Sequence, residues 1–326
     1  MWNLWGRFVR RSVWWLAVIV SPLASSGCGE QSEPETSATQ QADTNPGTGG
    51  YLPTSSLCTG SLCRLTMTIP VGTPLNSLAI IGSESVRLND RTNVLGTDGR
   101  PTVSMATGSS NGQGASLRLG VEALAGHVGA AGPLILEDRS VVRGNVETDS
   151  LTRRNNVAVS GGILSWAQAW VEPRTLLEFT WPGSVESAVS TENGPVTVKP
   201  NTSYARLTIR GGQKVTLAPG NYYFSELQIE SQGTLEAQSD QGPVRIFVER
   251  SMILNGSIVE VGATGQPVEN SQAVNTLVGY IGTYDLFANQ KLQAVLIAPN
   301  ANISLQGGNQ VTQRGALLGR AVEFHQ

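Results

Sequence analysis

Internal repetition at the spacing of one solenoid coil, about 20 residues, is the feature that most restricts the fold of this chain. Each repeated position lies in a short run where hydrophobic and polar residues alternate, which is the pattern of a half-buried β-strand. A repeat of this length accommodates three short strands and their turns, and successive coils stabilise one another by stacking. We therefore predict an all-β fold, a right-handed parallel β-helix (solenoid). The recurring pairs are Leu207 and Leu227, Ile209 and Ile229, Val215 and Leu235, and, at a slightly longer interval, Leu296 and Leu317.

A second repeat lies in the N-terminal half. The pattern L-x-D-R-[ST]-x-V-x-G occurs at positions 88–96 and again at positions 136–144. This interval fits two coils with an insertion, or two blades of a different all-β fold. A β-sandwich remains the alternative architecture, because Asn111-Gly112 and Asn255-Gly256 are dipeptides typical of hairpin turns. We divide the body into a β-rich region at 51–178, which either is separate or forms the first coils, and a C-terminal solenoid domain at 179–326.

The N-terminal segment, positions 1–27, has the composition of a secretion signal. It contains three arginines, then an apolar run from Val13 to Val20, and then small residues at 25–27 that directly precede Cys28. This order is that of a secretory signal, and the run is shorter than the roughly 20 apolar residues that span a bilayer. A cysteine in this place resembles the bacterial lipobox, which predicts a lipoprotein signal peptide at 1–27 and lipidation of Cys28. An ordinary cleaved signal and an uncleaved anchor are the alternatives.

The following segment and the charge indicate where the protein resides. Positions 28–50 are rich in Ser, Thr, Gln, Gly and Pro, so we predict a disordered tether. Gly29 rather than Asp after Cys28 resembles the sorting signal for the outer membrane. Loss of the segment 1–27 removes three arginines and no acid, so the formal charge of −3 becomes −6, which gives no basic surface for nucleic acid. We expect a lipid-anchored protein of the bacterial cell envelope, with the membrane as partner and polysaccharide or other envelope proteins as further candidates.

Cys58 and Cys63 are the two cysteines that follow the lipidation candidate. In an oxidising compartment such a pair most simply forms a local disulfide. The alternative is half of a metal site, but the sequence offers only His127 and His325 to complete it. We predict the disulfide, and no metal or cofactor.

The stretch from about Phe179 to Gln326 resembles a known family. The motifs that carry the resemblance are LAPGNYYFSEL (217–227), GPVRIFV (242–248), NTLVGYIG (275–282), AVLIAPN (294–300) and GALLG (315–319). They are similar to an uncharacterised β-helical domain at the C-terminus of bacterial surface proteins, including some with pilus-assembly (PilX-type) N-termini. A similar order of motifs occurs in ice-binding-like adhesin domains. The resemblance implies a β-solenoid at the cell surface and implies no particular activity.

Aromatic residues are the first candidates for ligand contact. Tyr222 and Tyr223, and the pair Trp166 and Trp170, are placed as aromatic platforms on which sugar rings stack. Packing in the interior is the alternative for all four rings. Strand alternation places Tyr222 and Phe224 on one side of the sheet and Tyr223 on the other.

Asp90 and Asp138 are the second candidates, because they occupy equivalent positions in the N-terminal repeat and each precedes an arginine. In β-helix polysaccharide lyases, stacked Asp and Arg residues bind calcium or activate a substrate proton. The simpler alternative is that each Asp caps a turn while the arginine forms a surface ion pair of small energy.

The sequence contains no nucleophile elbow, zinc motif, phosphate-binding loop or dinucleotide fingerprint. We favour a non-enzymatic cell-surface lipoprotein that displays a β-solenoid for adhesion, polysaccharide or matrix contact, or envelope structure. A β-helix polysaccharide lyase or hydrolase is the alternative. An ice-binding-like protein is a lesser one, because the strand threonines Thr208, Thr216 and Thr234 do not form a regular ladder.

Lipidation can be tested directly on the secreted chain. We expect mass spectrometry of the mature N-terminus to find Cys28 as the first residue, carrying acyl chains, because multiple chains hold a protein stably on a membrane. A Cys28→Ser variant should be released from the membrane fraction. An unmodified Cys28, or cleavage at another bond, would remove the anchor.

Overall fold

The computed structural model describes residues 53–70, 78–96, 99–108, 116–165, 171–268, 273–306 and 313–325. These residues form strands and, in the described ranges, one short 3₁₀-helix at Thr191–Asn193. Stacked parallel strands build a β-solenoid of about 10 turns. The prediction of an all-β solenoid is therefore confirmed, and the β-sandwich alternative is wrong because the long sheets pair in parallel.

The strands before residue 166 are β1 (Cys58–Thr59), β2 (Leu62–Pro70), β3 (Leu78–Leu88), β4 (Ser104–Thr107), β5 (Ser116–Leu119), β6 (Leu124–Ala125), β7 (His127–Ala130), β8 (Pro133–Leu136), β9 (Val141–Val142), β10 (Val146–Glu147), β11 (Ser150–Arg153), β12 (Ala158–Val159) and β13 (Ile163–Leu164). The later strands are β14 (Val171–Thr180), β15 (Val185–Glu186), β16 (Val189–Ser190), β17 (Thr202–Ile209), β18 (Lys214–Leu217), β19 (Gly220–Ile229), β20 (Thr234–Gln238), β21 (Val244–Leu254), β22 (Ser257–Val261), β23 (Thr276–Tyr280), β24 (Leu286–Ala288), β25 (Val295–Gln306) and β26 (Leu317–His325).

Each turn has three sides, which we call the first, second and third faces. The long strands bend at a corner and contribute to two faces: residues 78–82 of β3 pair with β4, and residues 85–88 pair with β5. The first face contains β4, β7, β10, β13, β15 and β23 with the N-terminal parts of β3, β17, β19, β21, β25 and β26. The second face contains β5, β8, β11, β16 and β24 with the C-terminal parts of the same long strands. The third face contains β6, β9, β12, β18, β20 and β22.

Alternating side chains point inward and stack once per turn to form the core. The predicted spacings are confirmed by the register, in which Leu207 pairs with Leu227 and Leu296 pairs with Leu317. The stacked strands bury their inward side chains against the turns above and below, which is how a solenoid gains stability. The inward row of the second face is Leu207, Leu227, Met252, Leu286, Ile303, Val322, Val86, Leu117, Leu134 and Leu151.

The order of turns in space differs from the order along the chain. The last strand, β26, pairs in parallel with β3, with Leu317 beside Ile80 and Phe324 beside Leu88. The turns of residues 78–164 therefore follow the C-terminal turns in the stack. We call the junction between β26 and β3 the seam. It satisfies the backbone groups that an open strand edge would otherwise leave unpaired.

The N-terminal repeat corresponds to two turns. Leu88 pairs with Leu119, which pairs with Leu136, so one further turn lies between the two copies of the motif. Arg91 and Arg139 both adopt left-handed backbone angles, with φ of 56° and 58°. The repeated motif thus forms the same sharp corner in each copy, and the intervening insertion explains the long interval between them.

A ribbon formed by β1, β2 and β14 covers the outside of the first face. β2 and β14 pair antiparallel from Leu62 with Thr180 to Pro70 with Val171. Its buried residues form a second hydrophobic cluster with outward-facing residues from seven turns. This cluster contains Cys63, Leu65, Met67, Ile69, Phe179 and Trp181 of the ribbon and its end, and Tyr223, Phe247, Ile281, Ile297, Leu318, Ile81 and Ala106 of the solenoid.

Two glycines show how closely the ribbon approaches the solenoid. A Cβ atom at Gly108 would stand 2.2 Å from the backbone oxygen of Thr68, and one at Gly279 would stand 3.0 Å from Leu65 Cδ1. The solenoid wall is therefore shaped to receive the ribbon along its length, from the turn of β23 to that of β4.

Phe247 and Phe287 provide a matched test of this packing. Phe247 is 2% exposed and stacks on Phe179 with ring centroids 4.0 Å apart, whereas Phe287 is 50% exposed. We expect Phe247→Ala to lower the free energy of unfolding by about 3–5 kcal/mol, because it leaves a cavity under the ribbon. Phe287→Ala should change it by about 0.5 kcal/mol or less. Equal losses in urea denaturation would contradict the role assigned to the ribbon.

Candidate functional site

The second face presents an outward surface that continues through the seam. Its central row contributes one residue per turn, and neighbours in the row are register partners. The row is Thr208, Gln228, Ile253, Phe287, Ser304, Glu323, Arg87, Arg118, Ile135 and Thr152. The ribbon covers seven turns of the first face, whereas the central row of the second face carries exposed residues such as Arg87, Ile253 and Phe287.

Charged side chains of this surface pair between neighbouring turns. Arg206 Nε donates to Glu226 Oε2 at 2.6 Å, and Arg118 lies 2.8 Å from Glu137. Exposed pairs of this kind each contribute little to stability. Each pair places a positive and a negative charge on neighbouring turns of the second face.

The corner column next to these pairs has the same arrangement. Glu122 lies between Arg91 and Arg139, at 3.1 and 2.8 Å. The hydrogen bond from Arg91 and the charge of Arg139 lower the pKa of Glu122. The column is thus an alternating ladder of charges.

Among the residues that the structure describes, three carboxylates are buried, at Glu236, Glu249 and Glu260. Thr216 Oγ1 donates to Glu236 at 2.7 Å, and Thr276 Oγ1 donates to Glu260 at 2.7 Å. Each carboxylate has its own hydroxyl donor from a neighbouring turn. Among the described residues, no three His, Cys, Asp or Glu side chains form a group that would hold a metal ion.

Glu249 differs from the other two because it holds the beginning of the described chain. The backbone N–H of Thr54 donates to Glu249 Oε1 at 2.9 Å, and Ser225 Oγ donates to Oε2 at 3.3 Å. Beside them, Ser55 Oγ donates to the backbone oxygen of Ile281 at 3.0 Å. A bulge at the corner between the first and second faces, where the register shifts past Phe224, aims this carboxylate at residues 54–55. Sequence reasoning missed this contact, since only the interruption of the apolar run 244–254 by Glu-Arg marks it.

Burial raises the pKa of Glu249, while the hydrogen bond from Thr54 and the charge of Arg250 act in the opposite direction. The net shift is upward. The carboxylate is therefore less stable in its charged form than an exposed glutamate would be.

The predicted disulfide is confirmed. Cys58 and Cys63 are bonded, with Cα atoms 4.0 Å apart, and they are direct register partners of β1 and β2. Cys63, on β2, is also fully buried between the ribbon and the solenoid. The bond therefore closes the turn that joins β1 to β2 at the start of the ribbon.

The aromatic candidates lie in the interior or outside the described residues. Tyr222 is fully buried in the core, and its hydroxyl donates to the backbone oxygen of Ala218 at 2.7 Å. Burial raises the pKa of Tyr222 to about 12. Tyr223 is 6% exposed and packs under the ribbon, so neither ring offers a face to solvent. The predicted alternation of Tyr222 and Phe224 against Tyr223 is confirmed. Trp166, Trp170 and Cys28 lie outside the described residues.

Asp90 and Asp138 act at turns. Asp90 Oδ1 accepts the backbone N–H of Val121 at 2.8 Å, and Asp138 Oδ1 accepts that of Asn155 at 3.0 Å. Both contacts join one turn to the next, which corresponds to the capping role considered for them. The structure does not bring these two residues together with the aromatic candidates Tyr222 and Tyr223, which are buried in the C-terminal turns.

Comparison with known proteins gives one partial match. Residues 227–326 match the family model described as a domain of unknown function, DUF7305. No curated protein and no solved structure matches the chain. The match covers less than a third of the sequence and carries no activity. The resemblance to pilus-associated and ice-binding-like domains stays a prediction.

The raised pKa of Glu249 predicts a pH dependence of stability. A carboxyl whose pKa is higher in the folded state stabilises the fold when protonated, and this contribution is lost as the pH rises through the folded pKa. Glu249→Gln keeps an acceptor for Thr54 without the charge. We expect the variant to equal or exceed the wild type in free energy of unfolding at about pH 7, with the difference shrinking towards about pH 4.

Urea denaturation across this pH range provides the measurement. Exposed Glu147→Gln serves as the control for the removal of one carboxylate. A loss of stability by Glu249→Gln that is largest at neutral pH would show that the charged form is the stabilising one.

Proposed function

We propose that this protein is a lipid-anchored component of the bacterial cell envelope that displays its solenoid for contact with polysaccharide or matrix. It acts by binding through an extended surface, and it chemically alters nothing that it binds. The observation that carries the proposal is the second face, whose central row continues with one residue per turn through the seam. Cys28 is the proposed anchor, at the outer membrane.

Rigidity supports this role. The second face rests on an inward row of hydrophobic residues, and each of its inner strands pairs with a strand on both sides, although β21 and β24 pair only at Leu254 and Ala288. The side chains on such a sheet are held at a spacing of about 4.8 Å between turns. An extended polymer can therefore make the same kind of contact on successive turns.

The point at which the described chain begins also supports display. Thr54 is held by Glu249, and Ser55 is held by the backbone of Ile281. These turns, of β21 and β23, lie away from both ends of the stack. Residues 54–55 are thus fixed at the side of the stack, which leaves the length of the second face available to a partner.

A binding assay with a chemical readout tests the proposal against the lyase or hydrolase alternative. The purified full chain, in detergent, is incubated with soluble and insoluble polysaccharides, both acidic and neutral. We expect retention on at least one of them and no increase in reducing ends or in unsaturated products. New chain ends that appear in proportion to protein would establish an enzyme, and failure of retention on every polysaccharide would refute polysaccharide contact.

A further inference from the structure

Exposed hydrophobic side chains gather on two neighbouring turns, on the second face and at the corner that precedes it. Of seven large hydrophobic residues that are exposed among those described, three lie there, on the turns of β21 and β24. They are Ile253 (42% exposed), Tyr284 (61%) and Phe287 (50%). Tyr284 and Phe287 are also the two exposed aromatic side chains of the described part of the chain. Every other Phe or Tyr ring described in the C-terminal turns is packed in one of the two hydrophobic clusters or partly buried against them.

Ile253 and Phe287 occupy the same position in neighbouring turns. Leu254 pairs with Ala288, so the preceding residues are adjacent in the central row at a strand spacing of about 4.8 Å. The residues on either side of Ile253 and of Phe287 point inward and are buried. Over 285–289, exposed and buried residues alternate. The two side chains therefore form an apolar strip on the outer surface that the core does not use.

Polar groups border this strip on the side of the corner. Asp285 Oδ1 accepts the backbone N–H of Asn302 at 3.3 Å, and Arg320 Nε donates to Asn302 Oδ1 at 3.0 Å. Arg320 also lies 3.4 Å from Asp285. Glu84 lies 3.8 Å from the same guanidinium, so Arg320 stands between two carboxylates. The cluster therefore presents carboxylates, an amide and a guanidinium, and its Asp285 directly follows Tyr284 in the chain.

Amides border the strip on the other side. Asn289 Nδ2 donates to Asn255 Oδ1 at 3.2 Å, which aligns the two exposed side chains across neighbouring turns. An amide both donates and accepts hydrogen bonds. The strip thus has an apolar centre and hydrogen-bonding groups along both edges.

We propose that this surface, which we call the aromatic strip and which consists of Ile253, Tyr284 and Phe287 with their polar borders, binds a neutral polysaccharide. The proposal rests on the function proposed above and assigns the site. A sugar ring has a face of C–H groups and a rim of hydroxyl groups, so it complements an apolar centre with polar edges. Aromatic side chains provide a large apolar surface that loses little conformational entropy on binding. The two carboxylates around Arg320, Glu84 and Asp285, repel an anionic polymer, which favours a neutral ligand over an acidic one.

The size of the strip favours a glycan over a protein partner. A stable protein interface buries about 800 Å² on each side around a desolvated apolar core. Three exposed hydrophobic side chains on an otherwise polar wall provide a much smaller core. A polymer that repeats along the wall gains affinity from several weak contacts.

Affinity electrophoresis of the full chain tests the site. The protein, in detergent, is run in native gels that contain dextran, β-glucan, xylan or hydroxyethyl cellulose, with alginate and pectate as acidic polymers. We expect a neutral polymer to retard the wild type, and Tyr284→Ala/Phe287→Ala to raise the dissociation constant at least about tenfold, or about 1.4 kcal/mol. Leu95→Ala, at an exposed hydrophobic residue outside the second face, is the matched control and should stay within about twofold.

Conservative variants separate binding from folding. Phe287→Tyr keeps the ring and should keep the retardation, while Asn289→Ala should weaken it without removing a hydrophobic side chain. Unfolding midpoints of all variants should equal that of the wild type, because these side chains are exposed.

The outcomes distinguish the two proposals. Retardation by a neutral polymer that the double variant leaves unchanged would overturn the aromatic strip and leave polysaccharide contact standing. Retardation by alginate or pectate alone would overturn the assignment to neutral glycans. No retardation of the wild type by any polymer would refute both.

Discussion

Parallel pairing between β26 and β3 is the interaction on which the rest of the structure depends. It joins the turns built from residues 185–325 to those built from residues 78–164. Without it, each set would end in a turn with an open strand edge and inward hydrophobic residues that have no neighbour. Because both sets place a hydrophobic residue inward at the same positions, the core passes through the seam from Val322 to Val86 without interruption.

This order of turns requires a long return path, and the ribbon provides it. The chain leaves the solenoid after β13 and must reach the other end of the stack before β15. β14 runs back along the first face across seven of these turns, paired with β2. A row of outward hydrophobic residues, among them Tyr223, Phe247 and Ile297, packs beneath it. These turns of the first face therefore serve stability. The disulfide joins β1 to β2 within the ribbon, and Glu249 accepts a hydrogen bond from the backbone of Thr54 just before it.

The same division leaves the outer side of the second face for the contact that we propose. Its inner side belongs to the core, while its outer side carries paired charges, amides and the aromatic strip. The aromatic residues that looked most available for a ligand, Tyr222 and Tyr223, serve instead in the two hydrophobic clusters. Exposed aromatic residues occur on a wall whose backbone is fixed by its neighbours, so a bound polymer would need to order little of the protein.

The sequence alone determined the fold class, the coil spacing and the disulfide. Each follows from local patterns: alternation, a repeat of one coil length, and two cysteines close together in the chain. For Asp90 and Asp138 the sequence also offered turn capping as an alternative to a catalytic role. Capping depends on residues near the turn, so the repeated Asp-Arg pair could indicate it. Only the tertiary structure decided that the N-terminal turns follow the C-terminal ones, that a ribbon covers the first face, and that Phe287 is exposed while Phe247 is not. In a strand, alternation shows which side chains share a side, but it does not show what packs on that side. Pairing partners far apart in the chain, such as β26 with β3 and β2 with β14, decide that, and no local pattern specifies them.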